Sequence, residues 1–65
     1  MRLEKRNNSV EFYAEIRRET EMAILAFDGA NEIWLPKSLI EITPVKHPDV
    51  EITLPEWLAI DKGII

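Results

Sequence analysis

EIWLPKSLIEI, Glu32 to Ile42, decides the fold, because its apolar run is cut by a proline, a lysine and a serine and then resumes. A single helix through Ile33–Ile42 is disfavoured. Pro36 would remove a backbone donor and clash with the preceding turn, and isoleucine is a weak helix former. Read as extended chain, Pro36 ends one strand or sits at its edge, since it cannot donate to a ladder. Lys37 and Ser38 complete a short turn. "LIEI" at 39–42 is then a new strand, with Leu39 and Glu41 on one side and Ile40 and Ile42 on the other. Strand, tight corner, strand is how a small sheet curls over and begins to close.

The neighbouring segments fit that reading. "DGAN" at 28–31 is the strongest turn signal in the chain, because Asp-Gly supplies the positive backbone angles of a hairpin. Before it, "MAILAF" at 22–27 is apolar on both faces, as a central strand is. Earlier still, "VEFYAEIR" alternates: Val10, Phe12, Ala14 and Ile16 face one way, Glu11, Tyr13, Glu15 and Arg17 the other. That period of two predicts a half-buried strand. "RETE" at 18–21 reads as a reversal. "TPVKHPD" at 43–49, with two prolines, reads as a loop. "VEITL" at 50–54 alternates again with Val50, Ile52 and Leu54 inward.

"TLPEWLAIDKGII" then reads as a short helix. Thr53 and Glu56 have capping-box spacing, proline is tolerated in a first turn, and Gly63 is a good stop. Trp57, Leu58 and Ile60 are expected to pack onto the sheet, with Glu56 and Asp61 facing water. The expected fold is mainly β: a small five-stranded SH3-like or OB-like barrel with a short C-terminal helix. A flat sheet with the helix laid across it is the alternative. Residues 1–8 are expected to be a flexible N-terminal arm and residues 9–65 a single domain.

Composition narrows the function classes. Sixty-five residues make one domain, with a core too small to be very stable as a monomer. There is no cysteine, which removes disulfides, thiolate metal sites and cysteine nucleophiles. No apolar window is long enough to span a membrane, and the N-terminus lacks a signal-peptide pattern. The sequence reads as that of a cytoplasmic protein. Net charge is −4, unevenly placed. Residues 1–8 hold three basic residues against one acidic, a balance of +2, and the remainder holds five against eleven, a balance of −6. An acidic body repels a polyanion, so duplex DNA binding by charge alone is not expected.

Three segments, AEIRRETEMAILAF, EIWLPKSLIEI and ITLPEWLAIDKGII, resemble a family of small bacteriophage and prophage proteins. In that family a Trp-hydrophobic-Pro-Lys-Ser stretch precedes Pro-Glu-Trp-Leu-Ala and a Lys-Gly close. Trp34, Pro36, Lys37 and Ser38 carry the first motif here. Pro55, Glu56, Trp57, Leu58, Ala59, Lys62 and Gly63 carry the second. The resemblance runs from about Val10 to Ile65. It implies a bacterial host cytoplasm and a partner among host machinery, viral replication proteins or nucleic acid.

Chemistry-bearing residues are sparse. His47 is the lone histidine, in a proline-flanked loop with no sequence neighbour to orient it. Two glycines exclude a glycine-rich phosphate loop. No catalytic residue, metal ligand or cofactor is expected. Surface aromatics are more informative. Tyr13 and Trp34, with Arg17 and Lys37 at their edge, would form an exposed platform if their strands are neighbours. Aromatics flanked by cations stack nucleobases and also anchor protein interfaces. The competing reading buries Trp34 under Trp57. Glu11, Glu15, Glu41 and Glu51 make a second candidate surface, a carboxylate display able to imitate phosphates in a basic groove. Its competitor is ordinary solubility charge and edge-strand protection.

Three functions follow as expectations. The first is a non-enzymatic module binding a host or phage protein, one form being an inhibitor of a host nucleic-acid or defence system. The second is a single-stranded nucleic-acid-binding accessory of replication or recombination. The third is a structural homodimer.

Overall fold

The alternation of Val10, Phe12 and Ala14 builds the strand on which everything else is hung. The computed structural model describes the backbone of residues 4–6 and 8–65, and side chains from residue 8 onward. Six strands follow in order: β1 (Glu4–Arg6), β2 (Ser9–Glu19), β3 (Ala23–Phe27), β4 (Glu32–Pro36), β5 (Glu41–Lys46) and β6 (Asp49–Pro55). A short helix, α1 (Glu56–Asp61), closes the described chain, and a 3-10 turn covers Lys37–Leu39. The five-strand antiparallel sheet runs β4-β3-β2-β6-β5. β1 pairs with β2 at residues 9–11, along the edge that β3 takes further on. Of the segment read as a flexible arm, residues 1–3 and 7 lie outside the described residues, while Glu4–Arg6 form β1.

The inner face of this sheet is the core. Val10, Phe12 and Ala14 of β2 meet Leu54, Ile52 and Val50 of β6 in direct register. Ile24 of β3 lies opposite Leu35 of β4. Leu58 and Ala59 of α1, with Ile64 beyond it, join the same cluster, and Ile16, Ile33, Ile40 and Ile42 pad its rim. No buried side chain among the described residues is polar or charged. Burial of apolar surface is therefore the main stabilising term, about 25 cal/mol per Å² removed from water.

The sheet is not closed into the SH3-like or OB-like barrel expected from the sequence. β4 and β5 are the two ends of the strand order and do not pair. The corner at Pro36 does form: Pro36 is the last residue of β4, and the Lys37 N–H donates to the Met22 carbonyl at 2.8 Å. The chain then crosses to the far end of the sheet rather than to the strand beside it. β6 returns to occupy the free edge of β2, which joins the β5-β6 hairpin to the β2-β3-β4 meander in one sheet.

Three local expectations are corrected. Residues 43–49 are not a loop: β5 continues through Pro44 to Lys46, and a tight turn with a cis His47–Pro48 bond leads into β6 at Asp49. Pro44 is tolerated because β5 is an edge strand. Leu39 belongs to the 3-10 turn, so the strand begins at Glu41. The capping box does not form: Pro55 is the N-cap and offers no side-chain cap. Thr53 lies within β6 and its hydroxyl donates to Glu11 Oε2 at 3.4 Å, while the Glu56 N–H is taken by the Asn8 carbonyl at 2.7 Å.

α1 also turns a different face inward than expected. Leu58 and Ala59 are buried, whereas Trp57 and Ile60 are 58% and 59% exposed. Residues 57 and 60 share one side of a helix, so once 58 and 59 take the sheet side, Trp57 and Ile60 face out. Gly63 stops the helix as expected, at φ +75°. Its N–H donates to the Ile60 carbonyl at 3.1 Å and that of Ile64 to Ala59 at 2.8 Å. This paired-bond termination needs a left-handed residue, and it swings Ile64 into the core.

Candidate binding surface

The outer face of the sheet is built from the alternate positions of the same strands. Registers place Glu11 beside Thr53 with Glu41 beyond it, and Tyr13 beside Glu51 with Thr43 beyond it. Glu15 lies between Asp49 on one side and Phe27 on the other, with Glu32 beyond Phe27. The four carboxylates singled out from the sequence, Glu11, Glu15, Glu41 and Glu51, therefore share one face with Tyr13, which is 58% exposed. Neighbouring strands are about 4.8 Å apart, so this is a closely spaced display.

Beyond Glu15 the pairing of β2 with β3 slips. Ile16 is opposite Ala26, yet Arg18 is opposite Leu25. Arg17 is the extra residue of a β-bulge, which bends the strand and re-aims side chains. Its guanidinium carbon lies 4.0 Å from the centroid of the Phe27 ring. Its Nε is 2.6 Å from Glu15 Oε2, and its Nη1 is 3.7 Å from Glu32 Oε2. One arginine thus covers an aromatic ring and joins carboxylates from two strands.

The expected platform is not assembled. Trp34 is exposed, at 44%, and is not buried under Trp57. It pairs with Leu25, next to Arg18. Tyr13 lies two side-chain rows away along the sheet, roughly 13 Å at the rise of a strand, with Phe27 and Arg17 between them. Lys37 is engaged too: its Nζ donates to Glu19 Oε2 at 2.6 Å. The cations expected to flank the aromatics are each paired with carboxylates. Arg18 forms no salt bridge among the described residues.

Two residues of this face escaped the sequence reading. Phe27 sat in a segment apolar on both sides, which hides the outward parity. Arg18 fell on an inward parity position, and a charge without a buried partner there was the available signal for a bulge.

Two hairpin tips frame the centre of β2. At one, Asp28 Oδ1 accepts from the Ala30 and Asn31 N–H groups, both at 2.8 Å. Those two bonds, Asn31 first, hold the Asp28 carboxyl below its ordinary value. Gly29 follows at φ +102°. At the other tip, Val45 is the unpaired residue of a second register shift and is 59% exposed. Between the tips lies a notch of about 410 Å³, lined by Tyr13, Glu15, Phe27, Val45 and Asp49. A second depression, of about 450 Å³, lies on another side, lined by Leu39, Ile40, Leu54 and Trp57 with Ser9 and Glu41. Exposed His47 sits in the β5–β6 turn, and no group of acidic or histidine side chains with metal-ligand geometry occurs among the described residues. No described helix is long and apolar enough to cross a membrane. Comparison with known proteins adds no relative: no family model, no curated protein and no solved structure matches the chain.

Proposed function

We propose that this domain is a non-enzymatic protein-binding module whose outer sheet face engages a basic surface on a host or phage protein. The observation that supports this reading is the register that gathers Glu11, Glu15, Glu41 and Glu51 around exposed Tyr13. Carboxylates spaced by a sheet present a fixed negative field, which speeds encounter with a positive patch and rejects other partners. The exposed tyrosine supplies the amphipathic anchor typical of interface hot spots. A nucleic-acid-binding protein is a partner of this chemistry, and occupying its groove inhibits it. The resemblance to phage and prophage proteins points to the cytoplasm of a bacterial host.

A single-stranded nucleic acid is the second reading, favoured by exposed Arg18 and Trp34 in one row across buried Leu25. The salt bridges on Arg17 and Lys37 weigh against it, since those cations already serve carboxylates. The test is affinity capture from nuclease-treated host lysate with the wild type and with a Glu11→Gln, Glu41→Gln, Glu51→Gln triple variant. A basic protein retained by the wild type and lost by the triple variant supports the module. Equal capture by both, or tryptophan fluorescence quenched by an oligonucleotide at low salt and no longer quenched in Trp34→Ala, refutes it.

A further inference from the structure

We infer that the notch between the two hairpin tips is a socket for one arginine side chain of the partner. This rests on the binding-module reading above. The sheet face already seats one guanidinium in the required way: Arg17 lies over Phe27 and is paired to Glu15 and Glu32. The notch offers the same combination to a visitor. Tyr13 supplies an exposed aromatic face, Val45 an exposed apolar wall, and Phe27 the floor. Asp49 lines it, and Glu51 stands directly across from Tyr13. Neither carboxylate forms a salt bridge among the described residues, although Lys46 is opposite Asp49 in the ladder. At about 410 Å³ the notch is at the small end of recognition sites and has room for a long side chain.

The occupant is assigned by charge and shape together. The wall is apolar and aromatic while the rim is anionic, so an apolar side chain satisfies only half of it. A guanidinium is planar, weakly hydrated and stacks on aromatic rings, whereas an ammonium is a compact, strongly hydrated point charge. Arginine therefore fits better than lysine, and a second arginine nearby meets Glu11 and Glu41 outside the notch.

The test uses the whole chain and three acetylated, amidated peptides of four Gly-Xaa repeats, in which Xaa is arginine, lysine or citrulline. Backbone amide shifts are followed by NMR at low salt. Arginine is expected to give saturable shifts centred on Tyr13, Glu15, Gly29, Val45 and Asp49. Lysine should bind roughly threefold more weakly, and citrulline should not bind. Tyr13→Ala and Asp49→Asn should each lower arginine-peptide affinity roughly fivefold, while Asp61→Asn, which removes one exposed charge on α1 away from this face, should change it by less than about twofold. All three exposed positions leave the core intact, and the spectra report retained folding. If Glu41→Gln, on the acidic face outside the notch, matches Asp49→Asn and Tyr13→Ala does nothing, the socket is refuted and the acidic-face reading survives. If no cationic peptide binds saturably, both fall.

Discussion

Replacing Arg17 with methionine keeps most of the aliphatic stem and removes the charge. The side chain makes a 4.0 Å contact to the Phe27 ring, a 2.6 Å ion pair with Glu15 and a 3.7 Å one with Glu32. All three charged groups are more than a third exposed, so each interaction is discounted for solvent. An exposed cation–π contact contributes about 0.5–1 kcal/mol. The closer ion pair adds about 0.2–1 kcal/mol, and the longer one lies at the edge of usefulness. The expected loss for Arg17→Met is therefore about 1–1.5 kcal/mol. At a urea slope of about 1 kcal/mol per molar for so small a domain, the midpoint falls by roughly 1 M. A double-mutant cycle with Glu15→Gln should return a coupling of about 0.3–1 kcal/mol. In 1 M salt, where the screening length is about 3 Å, that coupling should shrink while the Phe27 contribution persists. Arg18→Met, one residue on, should cost less than about 0.5 kcal/mol, since Arg18 forms no salt bridge among the described residues. Equal losses at Arg17 and Arg18, or a cycle with zero coupling, would sink the account of the bulge.

Other perturbations probe separate links. Ile52→Ala empties a fully buried site between Phe12 and Ile42 and should cost about 2–5 kcal/mol. For a domain of this size that is most of the stability, so circular dichroism at 25 °C should show a largely unfolded chain. Gly63→Ala forces a side chain to φ +75° although nothing crowds it. It should lower stability by about 1–2 kcal/mol, measured by thermal melt. The lowered Asp28 carboxyl contributes stability above its unfolded value of about 3.9, and that contribution is lost as pH falls through the folded value. Asp28→Asn should thus be less stable than wild type at pH 7, with the gap closing below about pH 4 in denaturant titrations. Trp57→Ser should change stability by less than about 0.5 kcal/mol, because the indole is exposed; cooperative unfolding lost in this variant would contradict the placement of α1.

What was legible in the sequence is what local patterning encodes. The alternation through Val10–Ile16 and Val50–Leu54 marks the inner face, and its complement puts Glu11, Tyr13 and Glu51 outside. Pro36 ends its strand and Gly63 ends the helix for reasons confined to their own backbones. Strand order was not legible, because β2 pairs with β6 across some forty residues of chain and no local signal names that partner. The edge position of β5 likewise decided that Pro44 belongs to a strand. On the site, parity located the carboxylates correctly, but the bulge at Arg17 broke the count. From there the alternation that placed Tyr13 no longer said what stood near Trp34.

The closing bond between Asn8 and Glu56 has a mechanical consequence. Chain enters the central pairing at Ser9 and leaves it at Pro55, and these two residues are direct partners. A force applied across that point loads the β2–β6 ladder one rung at a time, beginning with the 2.7 Å bond to the Asn8 carbonyl, instead of shearing all rungs together. The ladder should therefore peel open like a zipper under low tension when tethered at Ser9 and Pro55. Tethered at Glu15 and Asp49, the partners at the opposite end, the same ladder would start to open from its other end, beside the notch.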